Sequence, residues 1–118
     1  MTTEFTVTTR DTAAGPVLEF TGELDAVTAP DALKAIQRLT PHPGQQLVVD
    51  LTGLQFCDSS GVSALIAARN RALDVGAGIA LAAVPVHLAR TLGLTGLADF
   101  FRSYPTADDA GDAWAADQ

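Results

Sequence analysis

Cysteine is almost absent: Cys57 is the only one among 118 residues, so no disulfide can close within the chain. A domain of this length needs no such staple, and a lone thiol fits a reducing compartment. Histidine is scarce too. His42 and His87 stand far apart, and with one cysteine they form no ligand set for zinc, so neither metal nor other cofactor is expected. Long apolar runs are missing, and nothing approaches the roughly 20 residues that span a bilayer. The opening Met1-Thr2-Thr3-Glu4-Phe5 has no basic region followed by an apolar stretch, so no signal peptide is expected. These absences lead to the expectation of a soluble, cytoplasmic protein that does not insert into a membrane. Basic residues are few, with 7 Lys+Arg against 14 Asp+Glu and a net charge of −7. Phosphate backbones would be repelled, which argues against direct nucleic-acid binding. The acidic excess either maintains solubility or steers the chain toward a basic protein partner.

What is present suits a packed core. The chain is 47% hydrophobic and 18% charged, a globular composition, and its length is that of one domain, 1–118, with a core over about 5–115. Phe5, Val7 and Thr9 alternate with polar neighbours as in a half-buried strand. Ala14-Gly15-Pro16 turns the chain into a second strand at 17–21. Thr28 is placed to cap a helix with Pro30 and Asp31 in its first turn, and Leu33, Ile36 and Leu39 form its stripe. The nearly unbroken apolar run 47–51 reads as a strand covered on both faces. A helix follows over about 60–75, with Val62, Leu65, Ile66 and Leu73 on one stripe and Arg69 within it, ended by Gly76-Ala77-Gly78. The segment 79–84 is another buried strand, and a short helix opened by Pro85 runs to Leu92 before Gly93 and Gly96 break it. A last short strand lies within 99–103. A final helix begins at Thr106, with Trp114 as its large anchor, while Leu94, Leu97, Phe100 and Phe101 are expected in the core. A hairpin followed by alternating helices and strands predicts an α/β domain: a mixed sheet of four to five strands with about four helices.

Asp58-Ser59-Ser60-Gly61 is the most informative stretch, because it sits between a buried strand and an amphipathic helix. Sites gather at the carboxyl ends of strands in such folds, and a helix start offers free N–H groups to an anion. A phosphate on Ser59 would be favoured there and absorbed by those groups; Gly61 would allow close approach of a partner. Ser59 or Ser60 as the helix N-cap, with Asp58 tying down the turn, is the plainer alternative.

The neighbours of this tetrapeptide carry a resemblance. Thr21-Gly22-Glu23-Leu24-Asp25, Val48-Val49-Asp50-Leu51-Thr52-Gly53-Leu54, Phe56-Cys57-Asp58-Ser59-Ser60-Gly61-Val62 and Leu92-Gly93-Leu94-Thr95-Gly96-Leu97 together resemble the anti-sigma factor antagonists built on the STAS domain. The resemblance implies a STAS-like fold and a phosphoacceptor at Ser59. It implies an anti-sigma factor serine kinase as partner, captured by the unphosphorylated chain so that a sigma factor is freed, and a phosphatase that resets the cycle. It places Asp25, Asp58, Ser59, Ser60 and Gly61 at the partner-binding surface. Gly61-Val62-Ser63 departs from the Gly-Leu-Gly usual in the family. STAS domains also serve as subunits of stressosome-type complexes and of membrane lipid transporters, which is the competing use.

Enzymatic readings fit poorly. Ser59 lacks the first glycine of a nucleophile elbow, and neither histidine is placed by sequence to act as its base. Asp58 follows a strand as a receiver aspartate does, yet the only lysine is Lys34, in the first helix. No catalytic residue is therefore assigned.

Overall fold

The computed structural model describes residues 5–117; residues 1–4, which bear on the leader, lie outside it. Strand β1 (Phe5–Thr12) pairs antiparallel with β2 (Gly15–Leu24) through a two-residue turn, so Gly15 and Pro16 already belong to β2 and the turn lies one residue earlier than expected. Pro16 is tolerated because β3 pairing starts only at Val17, leaving no ladder bond for its missing N–H. Helix α1 (Ala29–Arg38), strand β3 (Gln46–Cys57), helix α2 (Ser59–Asp74), strand β4 (Gly78–Ala82), helix α3 (Val86–Leu94), a 3-10 turn (Ala98–Phe100), strand β5 (Arg102–Tyr104) and helix α4 (Ala107–Ala116) complete the order.

The five strands lie in the sheet in sequence order, parallel from β2 onward. Successive right-handed crossovers in one direction put α1, α2 and α3 on one face. Alternation along the strands then divides the core: Leu18, Phe20, Leu47, Val49, Leu51 and Leu81 meet those helices. Val17, Val48, Ala80 and Ala82 face the other way, where α4 covers them with Ala110. Gln46, 1% exposed, donates from Nε2 to the Ala110 carbonyl at 3.2 Å, which satisfies its buried amide. Trp114 is only half-buried; its Nε1 donates to the Gly44 carbonyl and its ring lies over Gly78, so α4 is held at the rim by Trp114 and in the centre by Ala110.

Two departures from the expected elements share one cause. Strand β2 runs three residues past 21, and β3 runs through 52–57, which has no period-two alternation, because the β2–β3 register slips twice, between Glu19 and Thr21 and between Gly22 and Glu23. Each slip adds a residue to β3, so Leu51, Leu54 and Cys57, three apart, all reach the helix side. Helix α2 buries Gly61, Val62, Ala64, Leu65, Ala68 and Ala72, while Leu73, expected on that stripe, is 49% exposed. Small residues carry the contact because α2 packs against both the sheet and α1. Gly76, at φ +77°, lets the Ala77 N–H reach the Ala72 carbonyl and its own N–H reach the Leu73 carbonyl. That pair of bonds is a Schellman stop. Gly96 ends α3 in the same way, whereas Gly93 lies inside that helix. Phe101 is buried as expected; Leu94 and Phe100 are exposed and Leu97 half-buried, since the chain leaves the sheet there. Among the described residues no helix is long and apolar enough to cross a membrane.

The revised stripe makes a direct comparison possible. Leu65→Ala is expected to cost about 2–5 kcal/mol in urea unfolding, and Leu73→Ala to stay within about 0.5 kcal/mol.

Candidate functional site

Two turns meet at the carboxyl edge of the parallel strands. In the first, after β2, the Asp25 Oδ1 accepts from the Val27 and Thr28 backbone N–H groups at 2.9 and 3.1 Å. Thr28 stands at the N-cap position of α1 as expected, but its side chain makes no capping bond to that helix. Its buried hydroxyl accepts from the Asp25 N–H and donates to the Glu23 carbonyl, so it knits the turn together. In the second, after β3, the Asp58 N–H donates to the Leu24 carbonyl at 3.2 Å, which ties the two turns to each other. Asp25 and Asp58, distant in sequence, are thereby placed on neighbouring turns.

Asp58, and neither serine, is the N-cap of α2. Its Oδ1 accepts from the Ser60 N–H at 2.8 Å and the Gly61 N–H at 3.3 Å. A carboxylate there also meets the positive end of the helix dipole. Ser59 is thus the first helical residue; its hydroxyl is exposed and makes no hydrogen bond among the described residues. Ser60 is half-buried and contributes its N–H to the cap. The donors expected to absorb a phosphate on Ser59 are therefore already taken, since the amides of 58, 60 and 61 have partners. A phosphate at Ser59 would stand beside the Asp58 carboxylate with its charge facing outward.

Gly61 acts inward. It is buried, and a Cβ placed on it would come within 2.4 Å of Cys57 Sγ and 2.9 Å of Leu24 Cγ. Only glycine lets α2 start this close to the ends of β2 and β3. The Cys57 thiol is raised to about 11, first by burial and then by the Asp58 carboxylate beside it, and it donates to the Asp58 carbonyl. Such a thiol is a packing group and a poor nucleophile. Neither exposed histidine bonds to Ser59: His42 lies in the loop after α1, and His87 in α3. Among the described residues no three His, Cys, Asp or Glu side chains are grouped to hold a metal ion.

Two open clefts lie elsewhere. An open cleft of about 380 Å³ at the opposite edge is lined by Thr9, Asp11, Arg38 and His42, and a second of similar size lies between the hairpin and α4. Neither contains residues 24–28 or 56–61. Small ligands favour concave sites, whereas an exposed hydroxyl on an open edge suits a macromolecule. Phe56 and Val27, both exposed and both on this edge, drew no attention in the sequence. Their exposure depends on the bulged register and the turn, which leave no local signal.

A mixed sheet with three helices on one face and one on the other, and a capped Asp-Ser-Ser-Gly turn at its carboxyl edge, defines a STAS-type domain. The family model described as "Mlab, STAS domain" matches residues 7–102. The anti-sigma-F factor antagonist RsfB of Mycobacterium tuberculosis is 30% identical over 105 residues, 89% of this chain and 85% of that one. The crystal structure of an anti-sigma factor antagonist from Mycobacterium paratuberculosis is 32% identical, with a TM-score of 0.82 and 95% of each chain covered. The anti-sigma factor antagonist SpoIIAA in its unphosphorylated form shares the fold, at 20% identity and a TM-score of 0.71, covering 96% of this chain and 97% of that one. The chain belongs to the STAS-domain family, with anti-sigma factor antagonists among its relatives.

The cap and the thiol can each be checked. Asp58→Ala is expected to cost about 1 kcal/mol in urea unfolding, while Asp58→Asn, which keeps an acceptor oxygen, should cost only a few tenths. Alkylation of Cys57 at pH 8 should run at least about 100-fold slower than that of a free thiol. Because the folded thiol titrates above its ordinary value of 9.0, its contribution to stability is complete below that pH and fades toward about 11. Subtracting the pH profile of Cys57→Ala from that of the wild type should isolate this loss.

Proposed function

We propose that this chain is a cytoplasmic anti-sigma factor antagonist that works by partner switching. With Ser59 unmodified it binds a kinase-type anti-sigma factor and so frees the sigma factor. Phosphorylation of Ser59 by that kinase ends the binding, and a phosphatase restores it. The relatives named above support the antagonist role. The observation that carries the switch is the division of labour at the start of α2: Asp58 supplies the cap, so the exposed Ser59 hydroxyl is free to react without loss to the fold.

The physical basis is desolvation. A partner pressed against Ser59 must strip water from Asp58 and, on the next turn, Asp25. A phosphate adds about −1.5 to −2 charges beside them, with few free amides to receive it. An unpaired buried charge costs a few kcal/mol, and about 3 kcal/mol weakens binding by roughly 100-fold. No change of fold is needed.

The test is affinity capture from native extract with Ser59→Ala and Ser59→Asp baits, followed by titration with the purified partner. The expected result is retention of a kinase-like anti-sigma factor by Ser59→Ala and a loss of about 100-fold in affinity for Ser59→Asp. Equal affinity for both baits would refute the switch. Recovery of transporter subunits or a signalling scaffold by both would replace the antagonist role by an assembly role.

A further inference from the structure

Exposed large apolar side chains fall into groups. Leu73, Leu94 and Phe100 lie around the far ends of α2 and α3, where the Arg69 guanidinium rests 4.8 Å from the centre of the Phe100 ring. Val86 opens α3. Val27, 82% exposed, lies in the turn that carries Asp25, and Phe56, 45% exposed, is the second-last residue of β3, two before Asp58. We infer that Val27 and Phe56 are the apolar anchors by which the anti-sigma kinase grips this chain, in a pocket rimmed by the partner's cations. This rests on the switch reading above.

Neither side chain belongs to the buried core. Val27 sits in a turn held by the Asp25 carboxylate and the Thr28 hydroxyl, which act through backbone groups and demand no apolar residue at 27. Phe56 lies beyond the second register slip of β3, six residues past the last β3–β4 pair at Asp50, and apart from the sheet residues that α4 covers. Both are close to Ser59. Phe56 is three residues from it, and Val27 is three residues from Leu24, whose carbonyl holds the Asp58 amide. Three residues span at most about 11 Å. An interface of ordinary size, about 800 Å² per partner, has a diameter of roughly 32 Å, so one footprint that covers Ser59 reaches both. Interfaces commonly place apolar anchors centrally with charged groups around them.

Charge selects the occupant. Residues 22–31 and 55–63 include Glu23, Asp25, Asp31 and Asp58 and no lysine, arginine or histidine. A second copy of this chain would set these carboxylates against one another. A kinase must bring cations to Ser59 to neutralise the phosphoryl group in transfer, and the same cations can pair with this rim.

The test uses titration calorimetry of the full chain against the purified anti-sigma factor that the Ser59→Ala bait retains. Val27→Ser and Phe56→Ser should each weaken binding by about 10-fold or more, while Leu94→Ser, on the far group, should stay within about 2-fold. Amide chemical shifts of the unmutated chain should move at 25–28 and 55–60 when the partner is added, which checks the surface without any variant. If Val27→Ser and Phe56→Ser bind like the wild type while Ser59→Asp still fails, the anchors are wrong and the switch stands. If Ser59→Asp binds like the wild type, the switch itself is wrong. Self-association of the free chain that Val27→Ser or Phe56→Ser abolishes in sedimentation would give the patch to a second copy and overturn the assignment.

Discussion

Asp58 is held at both ends of its residue: its backbone N–H is fixed to the Leu24 carbonyl, and its carboxylate holds the amides of Ser60 and Gly61. One residue therefore joins the end of β2, the end of β3 and the start of α2. Everything at the carboxyl edge takes its position from this junction. The helix cannot begin a residue earlier or later without giving up two amide bonds, and so Ser59 must occupy the first helical position, pointing to solvent. A carboxylate in the cap also leaves the helix end satisfied without Ser59, which separates the group that holds the structure from the exposed hydroxyl proposed as phosphoacceptor.

The junction is tight as well as bonded. Gly61 lies against Cys57 and Leu24 with no room for a methyl group, and partial burial together with the Asp58 carboxylate makes the Cys57 thiol resist ionisation. Behind it, the small residues Ala64, Ala68 and Ala72 bring α2 close to the sheet. This rigidity has a functional side. On the proposed switch, a junction packed this closely has little room to rearrange around an added phosphate, so the cost would fall on the complex. The acidic rim works in the same direction, because each new negative charge joins others already present.

The far half of the molecule is more loosely bound to this logic. Helix α4 covers the opposite sheet face with alanines and a rim tryptophan, and the Gln46 amide reaches across to its backbone. These contacts complete the core without touching the carboxyl edge. The polar cleft near Arg38 and His42 is likewise remote from it.

Much of this was legible before any coordinates. The hairpin, the alternation of helices and strands, the doubly buried run 47–51 and the helix stop at Gly76 follow from periodicity and turn chemistry, which are local. Asp-Ser-Ser-Gly between a strand and a helix marked the site, and its neighbours marked the family. Other features depended on distant parts of the chain. The two register slips that carry β3 through 52–57 are a property of its pairing with β2. The choice of Asp58 over the serines as cap follows from where β3 ends, since both residue types can cap. Leu73 and Leu94 are turned outward by the packing of whole helices, although their spacing reads as core. By itself, then, the sequence determined most of the helix and strand segments and where the candidate turn lies, because backbone propensity acts over a few residues. Tertiary structure alone decided which side chain holds that turn and which stands free, because hydrogen-bond partners and burial are assigned only when separate strands come together.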